Sequence, residues 1–465
     1  MDNMEKLKDK LKLYLSTLSE NAQNLLHRNL EKALKEGNSD AASELILAVL
    51  RDILKVEEKI VPLEEFVKKD FFREARFFAS DIDLLRKVEG RISPSSFDAI
   101  WTWIKRDVAS PELLQKLAMD CAQLEKREIS KHSSEICAEL VAAIKKNLKL
   151  VLRDFGGEQK LSNHLGGEVV YNDLLDVLIS AERLMPFKPI LARMPKELAS
   201  WATPEGEEGY KLISRYVQQA PLRTSWLFSA VSKNLTSARI LIQLSTKLSG
   251  SDDAVQVAAT VYAPAIHQIL AEMEAHASIV DARLREYSGL DVALEHIWTW
   301  HMMAKALKVE LELPTQCAWG KSLAEMKKKM TDILKREIEP TPGLVRKALR
   351  APKNGEKEVF DENLVADAIR AAKIFEKTEL AKDSLAMNGP ISDVRKELDQ
   401  AFEILTKSLV DRTRQAAGQE DENIKKLHAA AIDIAKSIFD EDFSEAFRRQ
   451  LKAASTVKEL QAAEA

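Results

Sequence analysis

Four of the chain's eight histidines, His267, His276, His296 and His301, fall close together in the sequence, among the carboxylates Glu272 and Glu274. Imidazoles and carboxylates gathered on adjacent helices are what a metal centre in a helical bundle uses. Helical spacing puts Glu272 and His276 one turn apart on a common face, and His267 and Glu274 two turns apart. A metal site in this stretch would draw on His267, Glu274, His276 and His296. Two features weigh against it. Neither the Glu-x-x-His signature of di-iron bundles nor the H-E-x-x-H of zinc proteases occurs. His296 and His301, at i and i+5, also point about 140° apart on a helix. Histidines satisfied in a core or at a surface account for the pattern better.

A second candidate is Gly320-Lys321-Ser322, which reads like the end of a phosphate-binding loop. The full pattern needs a glycine where Thr315 stands, so the backbone amides lack their usual cradle. No strand–loop–helix context surrounds it, and Ser322 reads as an ordinary helix cap. The three cysteines, Cys121, Cys137 and Cys317, are scattered and form neither a disulfide framework nor a zinc site. There is no G-x-S-x-G elbow and no His-Asp dipeptide, and Gln256 replaces the last acid of a D-D-x-x-D motif beginning at Asp252. No reactive centre is assembled by any motif, so neither catalysis nor a cofactor is expected.

The elements that would have to hold such residues are helices. Glycine (15) and proline (14) are scarce in 465 residues, while Leu, Ala, Lys and Glu dominate. These straight-chain residues lose little rotamer freedom in a helix, and few breakers interrupt them. A chain this long exceeds one core and predicts several domains. Basic and acidic residues, 69 and 73, are interspersed, which argues against nucleic-acid binding. The longest uncharged run, from Ala254 to Ala271, carries Gln256, Thr260, Pro264, His267 and Gln268, and reads as a buried helix rather than an integral membrane segment. The charged start, MDNMEKLKDKLKLYL, has no apolar signal region, so the cytoplasm is the expected location.

The fold class predicted is all-α, as consecutive helical bundles. The first would cover residues 1–155, with one helix from about Asp2 to Lys35 closed by Gly37. A single long helix would occupy about 110–155, opened by Ser110 as cap and Pro111, with a kink near Arg127–Glu135. A Gly/Pro-rich connection with short helices follows at 156–209, then a central bundle at 210–340. A C-terminal bundle at 358–455 has helices starting near Asp361, Ser392, Glu420 and Glu441.

The tetrapeptide Ile-Trp-Thr-Trp occurs twice, at Ile100 and at Ile297, in a chain with seven tryptophans. Flanking partial matches keep the same order at unequal offsets, so a degenerate internal duplication and chance both stay open. On a helix the two indoles of each copy lie about 200° apart. The apolar stripe takes Trp101 in the first copy and Trp300 in the second, leaving Trp103 and Trp298 off it. With Lys105 and Arg106 beside it, Trp103 is the residue expected at a partner interface. The function expected is a non-enzymatic helical protein–protein interaction module: a scaffold, adaptor or regulatory partner. The alternative is a helical metal- or small-ligand-binding protein, with enzymatic activity left open, centred on His267–His301.

Overall fold

The computed structural model describes residues 2–18, 20–35, 40–53, 61–121, 124–350, 360–416 and 422–463. Among them the chain is all-α, with isolated bridges and no strand. It begins with α1 (Asp2–Ser16), α2 (Glu20–Lys35), α3 (Ala41–Ile53), α4 (Leu63–Phe71), α5 (Pro94–Trp103), α6 (Pro111–Leu117) and α7 (Lys126–Val151). Next come α8 (Gly157–Leu165), α9 (Glu168–Leu184), α10 (Lys188–Leu191), α11 (Pro204–Gln219), α12 (Thr224–Ser232), α13 (Ala238–Ser249), α14 (Ala254–Ala258), α15 (Pro264–Leu284) and α16 (Leu290–Glu310). The last are α17 (Ala318–Ile338), α18 (Thr341–Ala348), α19 (Glu362–Leu380), α20 (Asn388–Ala416), α21 (Glu422–Ile438) and α22 (Glu441–Ala463). No described helix is long and apolar enough to cross a membrane.

The polypeptide divides into two compact units that interleave in sequence. One comprises Met1–Phe71 with Ile104–Leu148, the other Phe72–Trp103 with Lys149–Ala465. The consecutive division expected at 155 and 210 does not anticipate this exchange. In the first unit, α1 and α2 pack on α3 around Leu15, Val49 and Leu50. The expected first helix is two helices, because the chain turns at Thr17 and Leu18, where Gln23 donates to the carbonyls of Leu15 and Leu18. Gly37 lies outside the described residues.

Nor does one helix run from 110 to 155. Ser110 caps α6 and Pro111 opens it as expected, but α6 ends at Leu117. The backbone there is captured from a distance: Leu63 donates its amide to Met119 at 2.9 Å and Cys121 donates to Val61 at 2.9 Å. Groups paired this way cannot also continue an intrahelical ladder. The helix resumes as α7, which runs unbroken through the segment where a kink was expected. Along α7 the buried stripe is Ile129, Ser133, Ile136, Leu140, Ile144 and Leu148, and the Ser133 hydroxyl donates to Asp70 at 2.6 Å.

In the second unit, α15 and α16 pack along each other, with α13 and α17 on α15 and α13 and α19 on α16. Both helices carry small buried residues, Ala277 on α15 and Ala293 and Ala304 on α16, while Ala271 and Ala275 of α15 pack against Leu84. The stretch expected to be a Gly/Pro-rich connection contains α9, whose Tyr171, Leu174, Val177 and Leu184 are core residues. The C-terminal helices start near the positions expected, at Glu362, Asn388, Glu422 and Glu441, and belong to this same unit.

The segment from Phe72 to Trp103 is fastened into the second unit by buried charge. Asp173 on α9 is fully buried and accepts from the Ser93 amide at 2.9 Å and the Ser96 hydroxyl at 2.6 Å. Lys87 reaches both Asp173 and Asp176 at 2.5 Å. The buried Arg91 pairs with the partly buried Glu272 at 2.9 Å. Between them Gly90, at φ +76°, lies so close to α12 that a Cβ would stand 2.8 Å from the Ser225 carbonyl. Only glycine tolerates both the conformation and the contact.

Candidate functional site

The predicted metal residues do not converge as a set. On facing positions of α15 and α16, His276 and His296 place their Nδ1 atoms 2.6 Å apart. This is a hydrogen bond in which one neutral ring donates and the other accepts. Two nitrogens on one zinc, each about 2.0–2.1 Å from the metal, would stand farther apart. Burial, reinforced by the adjacent His296, holds the His276 imidazole down at about 4, and burial also lowers His296. His267 sits edge-on against Trp319, with ring centroids 5.6 Å apart, and Glu274 is paired with Arg86 at 3.2 Å. Among the described residues no three His, Cys, Asp or Glu side chains are grouped to hold a metal ion.

Gly320-Lys321-Ser322 is not a loop either, and Ser322 is not the cap. The α17 helix already starts at Ala318, with Cys317 Sγ accepting from the Gly320 amide at 3.2 Å and the Cys317 carbonyl accepting from Lys321 at 3.0 Å. Amides spent inside a helix cannot wrap a phosphate. Gly320 is required for packing: a Cβ there would stand 2.1 Å from the Pro314 carbonyl oxygen.

The expected interface residues are also engaged. Trp103 is 2% exposed, a correction to its expected place at a surface. At Ile104 the α-helical winding gives way to a π turn through Val108, with the Ala109 amide donating to the Ile104 carbonyl at 2.8 Å. The wider turn changes the angular spacing that follows, which a 3.6-residue period does not foresee. Lys105 pairs with Glu64 at 2.8 Å and Arg106 with its neighbour Asp107 at 2.6 Å.

The open surface lies at the second copy of the tetrapeptide. Trp298, Met302 and Val309 on α16 are 39%, 45% and 60% exposed, whereas Trp300 on the inner face is 1% exposed. Trp298, Met302, Lys305 and Val309 follow the three- and four-residue spacing of a single helical face. Together with Thr236, Ser237, Ala238 and Arg239 at the start of α13, they line a groove of about 430 Å³. Its frame is fixed from both sides. Arg239 and Gln243 on α13 both reach Glu310 at the end of α16, at 2.5 and 3.0 Å. The Thr236 amide donates to Leu198 at 3.1 Å, and Trp201 donates its indole N–H to Ile240 at 2.7 Å. At the rim, Lys377 of α19 rests over the Trp298 ring, 4.9 Å from its centroid. Beside it, the His301 ring lies 5.1 Å from that of Trp298.

A larger indentation of about 680 Å³ between Ser200–Ala202 and the end of α13 is open and polar, with Lys247 laid over Tyr210 at 4.3 Å. It presents no comparable apolar face. The α16 groove was half legible in sequence, since Trp298 lies off the apolar stripe. Its other wall, the start of α13, carried no signal.

Comparison with protein-family models, with curated proteins and with solved structures finds no match to this chain.

Proposed function

We propose that this chain is a helical protein-interaction module, a scaffold, adaptor or regulatory partner, that engages another protein through the groove between α13 and α16. One observation carries the reading. All seven tryptophans lie in described residues, and six are at most 6% exposed; Trp298 alone is open, and it lines the groove beside Met302. Tryptophan is enriched among the residues that dominate binding energy, and methionine adapts to varied partner shapes. A face that mixes Trp298, Met302 and Val309 with Lys305 has the apolar centre and charged edge of a docking surface.

The setting proposed is the cytoplasm, where the three free cysteines would stay reduced. The alternative, a metal or ligand centre at His267–His301, is supported less well, since the imidazoles that meet there make a hydrogen bond with each other. A photo-crosslinking residue at position 302 tests the reading in living cells of the source organism. Discrete protein adducts are expected from position 302, lost on Trp298→Ala and absent when the probe stands at exposed Leu380. Equal adducts from both positions, or none from 302, would contradict it.

A further inference from the structure

We infer that the groove's occupant is an amphipathic α-helix of about three turns, carried by a partner protein and acidic along one flank. This rests on the reading of the groove as a docking site and specifies what docks there. The length follows from the face itself. From Trp298 to Val309 the open positions span about 16 Å at 1.5 Å per residue, or three turns. The shape follows from the walls. Two packed helices leave a channel that the ridge of a third helix fills, and the small residues Ala238 and Ala306 line it without blocking it. A β-strand peptide would need a sheet edge to pair with, and the described residues contain no strand.

The charge follows from what is left over. The groove lining includes two basic residues, Arg239 and Lys305, and no acidic one. Arg239 is already neutralised by Glu310, which Gln243 also holds. Lys305 makes no ion pair among the described residues, and Lys377 rests over the Trp298 ring with its charge acting on the neighbouring Glu376 but in no salt bridge among the described residues. Two cations therefore flank the apolar face outside any salt bridge among the described residues, and Lys305 is the one that lines it. The positive end of α13 adds to them, since Ser237 stands at its N-cap without a side-chain hydrogen bond and lines the groove. Of the acids of α16 near the groove, Glu310 is committed to Arg239 and Gln243, Asp291 and Glu295 precede Trp298, and none is part of the lining. Carboxylates on the partner's flank would meet Lys305 and Lys377, while a basic flank would be repelled.

The test uses the full chain as bait for a displayed library of random-sequence peptides of about sixteen residues, roughly four turns if helical. Peptides that the Trp298→Ala variant also captures are discarded. The expected enrichment is sequences with apolar residues at i, i+3 or i+4, and i+7, bearing Asp or Glu on one flank. Their affinity should fall at least about tenfold on Trp298→Ala, as for a hot-spot aromatic. It should fall about threefold or more on Lys305→Glu, with the loss shrinking in high salt. Far-ultraviolet circular dichroism of both variants should match the parent, because both side chains are open to solvent. Trp298-dependent binders that are basic, or extended and proline-rich, would overturn the acidic-helix assignment while leaving the groove as a docking site. If no binder depends on Trp298, both readings fall.

Discussion

The same four residues, Ile-Trp-Thr-Trp, meet opposite fates in this molecule. In α5 both indoles are internal, Trp101 and Trp103 at 3% and 2% exposure, with Trp101 edge-on to Phe72 at 6.2 Å. That helix is enclosed on both faces and passes at once into a π turn. In α16 the two indoles are again about 200° apart, but the face that carries Trp298 is open. One then lies in the core and the other in the groove. A local motif therefore does not determine its own role. What encloses the helix decides whether an indole is packing or contact surface.

The sharpest way to break this comparison is to truncate each indole in turn. Trp103→Ala and Trp300→Ala should each cost about 3–5 kcal/mol in denaturant unfolding, the range for deleting a large core aromatic. Trp298→Ala should cost about 1 kcal/mol or less, since much of that ring is already in water. Equal penalties at positions 103 and 298 would erase the distinction.

Charge sharpens it next. Lys87 is bound between Asp173 and Asp176 in the interior, whereas Lys305 stands at the groove without a carboxylate. Lys87→Met should destabilise by about 3 kcal/mol, because it strands a buried carboxylate. Lys305→Met should stay within about 0.5 kcal/mol, as ordinary surface changes do. Thermal melts of the pair give the ordering directly.

Acid should act on the closed side of α16 before the open one. His276 is held at about 4 against an ordinary 6.5, so below pH 6.5 the unfolded chain takes up a proton that the folded chain refuses. Stability should therefore fall as pH drops from about 6.5 to about 4, by at most about 3 kcal/mol, and then level off for this group. His296 adds to the loss in the same direction, while Asp81 near His276 and Glu295 near His296 oppose it and Arg283 reinforces it. Replacing His276 by Gln should flatten that limb of the stability-versus-pH curve. An unchanged slope in the variant would remove the imidazole pair from the account.

Much of the fold could be read from residue types. Scarce glycine and proline gave the helical class, and Ser110-Pro111 and Asp361 marked real helix starts through their caps. What escaped sequence reasoning was non-local. The break after Leu117 depends on Val61 and Leu63 pairing with a backbone some sixty positions away in the chain. The interleaving of the units depends on Asp173 capturing Ser93 and Ser96, none of which looks unusual alone. Of the candidate site, the stripe through Ile297 and Trp300 put Trp298 off the core face, but the apolar run from His296 to Leu307 reads as an enclosed helix, so its outward position was not foreseen. Nor was the inward position of Trp103, because the enclosure of α5 on both faces depends on what packs around it and not on its own pattern. The histidines looked like a cluster because sequence shows proximity along the chain, while only two of the rings face each other across α15 and α16.

The central claim is that one tryptophan of the seven faces solvent as a contact residue. Brief oxidation of the folded chain with N-bromosuccinimide, read by peptide mass spectrometry, tests it most directly. The account predicts that Trp298 is modified first, while Trp101, Trp103, Trp201, Trp226, Trp300 and Trp319 stay protected until the chain unfolds. Modification of Trp103 as fast as Trp298, or protection of Trp298 in the isolated chain, would contradict it.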